Sequence, residues 1–163
     1  MTTSAAGRGG SMPPRPPAAK PQQWFMLRPW LFDVTRAILM LRAAPRPARP
    51  LAVEPWARAY GLLPAPGGSP HTISLIGPGP DFDPEYAMTT CLDEPLIIAS
   101  VTADGTGQPS PLLIDGCHRL YKAARLGREH LPSLVLTTEE TLAIRHDAIL
   151  GPPRTLARRE NRP

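Results

Sequence analysis

From residue 82 onward the apolar and polar positions follow two alternating periods. Pro95–Val101 (PLIIASV) is a continuous apolar run with β-branched residues, which predicts a buried strand. Ala103–Ser110 (ADGTGQPS) is polar and contains glycine, as a hairpin loop requires, and Leu112–Asp115 then reads as the returning strand. At Gly116 the period changes. Leu120, Ala123 and Ala124 recur at helical spacing, predicting a helix over Cys117–Leu126 that Gly127 closes. Ser133–Thr137 (SLVLT) predicts a third strand. Thr137 and Glu140 have the spacing of a capping box, opening a last helix over 138–149 with Leu142, Ile144, Ala148 and Ile149 for burial. Upstream, Asp83-Pro84 starts a short helical turn through Glu85, Tyr86 and Met88. The order strand, strand, helix, strand, helix suits a small α/β or α+β domain.

The N-terminal half is less regular. Residues 30–42 read as an amphipathic helix, with Pro29 in its first turn and Leu31, Val34, Ile38 and Leu41 on one face. Pro45, Pro47 and Pro50 end it. A second helical piece runs through Trp56, Ala59 and Tyr60 to Gly61. These pieces either pack on the core or bind a protein partner through 30–42. Residues 64–80 read as a linker containing one candidate strand, Thr72–Ile76. Residues 1–23 hold small residues and prolines with almost nothing to bury, and are expected to be disordered. The division expected is a Pro-rich arm over 1–29, accessory helices and linker over 30–70, a packed domain over 71–150 and a basic tail over 151–163.

Composition sharpens that division. Most of the 23 prolines lie at or before residue 80 or after 151, where they exclude helix interiors and central strands. The net charge of +4 is unevenly spread. Residues 1–70 carry nine Lys/Arg against Asp33 and Glu54, giving +7; residues 71–150 carry five basic against eleven acidic residues, giving −6. The last thirteen residues have four Arg and Glu160, giving +3. Basic arms on an acidic core suit nucleic acid, or are simply solvated. No export signal is visible, and the apolar run at 30–41 is interrupted by Asp33 and Arg36 and too short to span a bilayer. A soluble, cytoplasmic protein with reduced thiols is expected, with no membrane partner. Cys91 and Cys117 stand 26 positions apart without paired Cys/His spacing, so no metal centre of the zinc type is expected.

The chemistry-bearing segment is Ile114-Asp115-Gly116-Cys117-His118-Arg119-Leu120-Tyr121-Lys122-Ala123. If Leu120, Ala123 and Ala124 pack inward, Cys117, His118 and Arg119 occupy the first helical turn, where unpaired amides and the positive dipole end converge. Arginine conflicts with that dipole. A phosphate or carboxylate held jointly by Arg119 and the helix start resolves the conflict; a salt bridge from Arg119 to Asp115 or to an acid within 81–94 resolves it equally. Cys117 reads either as a thiolate nucleophile or as a half-buried packing residue. Asp115, at a strand end, reads as a general base, a magnesium ligand or a turn residue. His118 alone reads as a polar capping residue.

The stretch PLLIDGCHRLYKAARLGREHLPSLVLT resembles the ParB/sulfiredoxin superfamily, whose signature is a strand, a Gly-x-x-Arg helix start, a small-residue helix, an apolar-Pro step and another strand. The resemblance covers about residues 82–140. It implies an α+β fold, a small mixed sheet packed by helices, and phosphate binding by Gly116, His118 and Arg119. Three branches imply three activities. ParB-like domains bind nucleotide there, although this chain has too few residues after 150 for a complete partition protein. Sulfiredoxins carry Gly-Cys-His-Arg, matched by Gly116 to Arg119, and use the cysteine in ATP-dependent sulfinic acid repair; their flanking aromatic and glycine residues are replaced here by Ile114-Asp115. Free-serine kinases of this fold carry Asp-Gly-His-His-Arg, matched at four of five positions from Asp115, and there the aspartate assists phosphoryl transfer. The resemblance thus implies a nucleotide (ATP or CTP) with magnesium, or another phosphorylated small molecule, with Asp115 or Cys117 catalytic. A non-catalytic nucleic-acid or protein-binding module is the alternative.

Overall fold

Two hairpin-prone aromatic tetrapeptides, WFML and WLFD, form the first strands, β1 (Trp24–Leu27) and β2 (Trp30–Asp33). The computed structural model describes residues 22–27, 29–63, 82–102 and 107–147. After β2 come α1 (Val34–Ala43), β3 (Arg49–Ala52) and α2 (Val53–Ala59). The second half comprises α3 (Pro84–Thr89), β4 (Leu96–Thr102), β5 (Pro109–Asp115), α4 (Cys117–Arg125), β6 (His130–Val135), α5 (Thr138–Ile144) and β7 (Arg145–Asp147). The fold is α+β. One sheet has the strand order β1-β2-β7 and the other β3-β6-β4-β5. The larger sheet is mixed, since β4 runs antiparallel to β5 and parallel to β6.

Two expected helices change at one end. The helix expected over 30–42 starts only at Val34, because Asp33 is its N-cap, accepting from the Arg36 amide at 2.9 Å. Trp30–Asp33 instead pairs on both sides, with β1 and β7. The helix expected over 138–149 stops at Ile144, and Arg145–Asp147 extends to fill the second edge of β2. In both cases a β partner distant in sequence overrides a local helical period. β1 also lies within the 1–29 span expected to be an arm. The candidate strand at Thr72–Ile76, Ala148 and Ile149, residues 1–21 and the basic tail over 151–163 lie outside the described residues.

The core is not confined to residues 71–150. Phe32, Leu51, Val53, Ala57 and Tyr60 are buried in the same cluster as Leu96, Ile98, Leu113, Leu120 and Leu136. β3 pairs with β6 at the sheet edge, where its Pro50 is tolerated, and Ser133 Oγ donates to the Arg49 carbonyl at 3.0 Å. The buried Tyr60 hydroxyl accepts from the Leu113 amide at 2.7 Å, tying the end of α2 to β5. The face of residues 30–42 reserved for a protein partner is used internally: Leu31, Val34 and Leu41 are buried, and Ile38 packs on the core. Those side chains serve the chain's own core rather than standing exposed for a partner.

Candidate functional site

The end of β5 lies beside the start of β4, with Asp115 opposite Ile97, and the register shifts between Ile97 and Ile98. The ladder ends there and Gly116 turns the chain into α4. Its φ of 102° lies in the left-handed region, which a side chain would strain. A Cβ at this position would collide with Leu96 Cδ2 and lie 3.0 Å from Arg119 Nη2 and 3.1 Å from its Nε. The glycine therefore lets the arginine lie back across the turn.

Leu120 and Ala123 are fully buried, as their spacing predicts, and Gly127 closes the helix at a φ of 66°. That packing leaves Cys117, His118 and Arg119 in the first turn. The first backbone bond of α4 runs from the Leu120 amide to the Gly116 carbonyl at 2.9 Å, and Gly116 supplies no side-chain cap. The three amides before Leu120 have no partner among the described residues.

Arg119 makes the salt bridges that compete with an anion in the sequence reading. Its Nη2 donates to Asp115 Oδ2 at 2.9 Å and to the Pro95 carbonyl at 3.2 Å, and its Nη1 donates to Glu94 Oε2 at 3.1 Å. Its side chain is 13% exposed and its Nε, fully buried, has no partner among the described residues. His118 is covered by α3 and the residues before it. Phe82 stacks flat on the imidazole, centroids 4.7 Å apart and planes 5° apart, and Tyr86 meets it edge-on at 5.1 Å. The buried His118 Nε2 likewise has no partner among the described residues. Lys122 Nζ, donating to the Thr90 carbonyl at 2.6 Å, fastens α3 to α4.

Cys117 departs from the nucleophile reading. Burial pushes its thiol up to about 11, against the lowering expected at a helix start. Cys91 is exposed, and both cysteines are free. Among the described residues no group of three or more His, Cys, Asp or Glu side chains could hold a metal, and no helix is long and apolar enough to cross a membrane.

Asp115, Gly116, His118 and Arg119 thus line one cleft of about 580 Å³. Cys117, in the same turn, does not line it. The N-terminal half contributes another part of the lining: Gln23, Ile38, Leu41 and Arg42. Sequence reasoning missed this part, although Ile38 and Arg42, four apart on a helix, share a face. Glu94 fell within the 81–94 acids considered for Arg119, whereas the aromatic cover of Phe82 and Tyr86 left no signal in the linear pattern. In comparisons with known proteins, the chain matches no family model, no curated protein and no solved structure.

Proposed function

We propose that this chain is a ParB/sulfiredoxin-like domain that binds a nucleotide or another phosphorylated ligand at the Gly116–Arg119 turn. The observation that carries this reading is the open start of α4: three amides and a histidine nitrogen without a partner among the described residues, in the same turn as the Arg119 guanidinium. A phosphate oxygen set satisfies all of these donors at once. Gly116 gives the ligand access to the backbone, while His118 and Arg119 contact its oxygens. Glu94 is 69% exposed and can swing away as an anion takes its place.

Magnesium fits this arrangement as a companion of the ligand. It binds through one or two carboxylates together with substrate phosphates, and Glu94, once displaced from Arg119, would supply one. When bound it would neutralise phosphate charge. The reaction these residues suit is phosphoryl transfer, in which positioning and electrostatic stabilisation are the main tasks. In that role Asp115, oriented by Arg119, accepts a proton from an attacking hydroxyl. The sulfiredoxin-like alternative has less support, because a thiol with its ionisation pushed to about 11 is a poor nucleophile near neutral pH.

Thermal unfolding with ATP, CTP, ADP or inorganic phosphate, each with and without magnesium, tests the proposal. A ligand that binds only the native state raises the melting temperature by mass action, about 2.7 kcal/mol of stabilisation at a hundredfold excess over Kd. The rise should vanish in Arg119→Ala. No rise with any of these ligands in the unaltered protein would remove the phosphate reading.

A further inference from the structure

The Arg119 charge is already compensated by Asp115 and Glu94. The second arginine of the cleft, Arg42, is exposed and forms no ion pair among the described residues. Its position in the last turn of α1 suits the helix dipole, which accounts for a basic residue at that point along the helix. The dipole does not account for its direction. Arg42 stands four residues after Ile38, on a face turned into the cleft, and Leu41 lines the cleft beside it. An inorganic phosphate at the α4 turn would leave most of about 580 Å³ unfilled, a volume that suits a small organic molecule.

We propose that Arg42 is a second anion-holding residue. The ligand of this cleft then carries more than one anionic group, one at the Gly116–Arg119 turn and another at Arg42. Ile38, Leu41 and Leu134 also line the cleft and suit a less polar part of the same ligand. The inference rests on the proposed function and adds to it a ligand class, that of organic polyphosphates and other multiply anionic phosphate compounds. It also gives residues before 71 a part in recognition that the α4 turn cannot supply.

Calorimetric titration of the full chain with inorganic phosphate, pyrophosphate and ATP, each with magnesium, separates the two ideas. Arg42→Ala should weaken ATP and pyrophosphate by about tenfold, the worth of one charge-assisted hydrogen bond, and phosphate by less than about twofold. Arg42→Lys should recover most of the loss. The melting temperature without ligand should not move, because the side chain is exposed and unpaired. Unaltered ATP affinity in Arg42→Ala, alongside loss in Arg119→Ala, overturns this inference and leaves the proposed function standing. Equal weakening of phosphate and ATP overturns the assignment of a second anionic group. No binding of any probe to the unaltered chain overturns both.

Discussion

Two helices of this domain begin in opposite ways. α5 opens with Thr137, whose hydroxyl accepts from the Glu140 amide at 3.1 Å while the Glu140 carboxylate accepts from the Thr137 amide at 2.8 Å. Arg46 then grips the same carboxylate. α4 opens with a left-handed glycine, no cap and no acid in its first turn, but an arginine. α1 and α3 are capped by Asp33 and Asp83, and the first amide of α2 donates to the Glu129 carbonyl at 2.9 Å. Where a helix start serves only the fold, this chain satisfies it. The open start of α4 coincides with the cleft, the close approach of Arg119 and two orphaned side-chain nitrogens. Local rules broken together at one place mark a candidate site better than any one of them alone.

The largest expected effect comes from closing the α4 turn. Gly116→Ala combines left-handed strain with a collision against the fully buried Leu96, and should destabilise the protein by about 3 kcal/mol. Gly127→Ala is the control. It shares the positive φ but meets nothing within 4 Å, and should lose only about 1 kcal/mol. Urea unfolding measures both. Equal losses would mean that backbone conformation alone selects glycine at 116, and the close approach would lose its meaning.

Opening α5 is the complementary change. Thr137→Ala removes one half of the capping box and should cost about 1 kcal/mol in the same experiment. It should leave ligand-induced stabilisation untouched, because α5 lies away from the cleft lining. A Thr137→Ala protein that keeps its stability but loses ligand response would reverse the roles assigned to the two helix starts.

How much of this contrast is visible in the sequence depends on range. The capping box, the Gly116 turn, the burial of Leu120 and Ala123 and the strands on either side are local patterns within a dozen residues, and they hold in the structure. Asp115 and Glu94 as partners of Arg119 were also among the expected outcomes. What the sequence hid was non-local. β3 and β7 are strands of four residues or fewer whose partners lie 78 to 117 positions away, and no period can develop over such lengths; β1, a four-residue strand paired locally with β2, is too short for one as well. Arg42 reaches the cleft only because β2 and α1 pack beside the larger sheet. The wall that α1 contributes is a tertiary fact with no linear signature.

A smaller effect belongs to the acid limb of stability. Hydrogen bonds from Arg46, offset in part by burial, hold the Glu140 carboxyl below the usual carboxylate range. A depressed folded pKa contributes stability above the unfolded value and loses it as the pH falls through the folded value. Arg46→Ala should flatten that limb and remove about 1 kcal/mol or less at neutral pH. Denaturant midpoints between pH 7 and pH 3 report the change; an acid limb identical in the two proteins would show that Arg46 adds nothing to the seal of α5.

The smallest effect is the most telling about α4. A helix start lowers a thiol's pKa and burial raises it, and at Cys117 burial prevails, at about 11. The folded protein holds this thiol neutral across the range in which enzymes work, so alkylation of Cys117 by iodoacetamide at pH 7.5 should be far slower than that of the exposed Cys91. Its rate should climb only as the pH approaches 11. Over that same climb the unfolded chain ionises first, so folding stability falls from the ordinary thiol value upward. Cys117→Ser should bind phosphate ligands as the unaltered chain does, since the thiol faces Tyr60 and the core rather than the cleft. Rapid alkylation at neutral pH, lost when a nucleotide is added, would instead put the thiol in the ligand's path. The open start of α4 would then serve sulfur chemistry, and Asp115 would give up the catalytic role proposed for it.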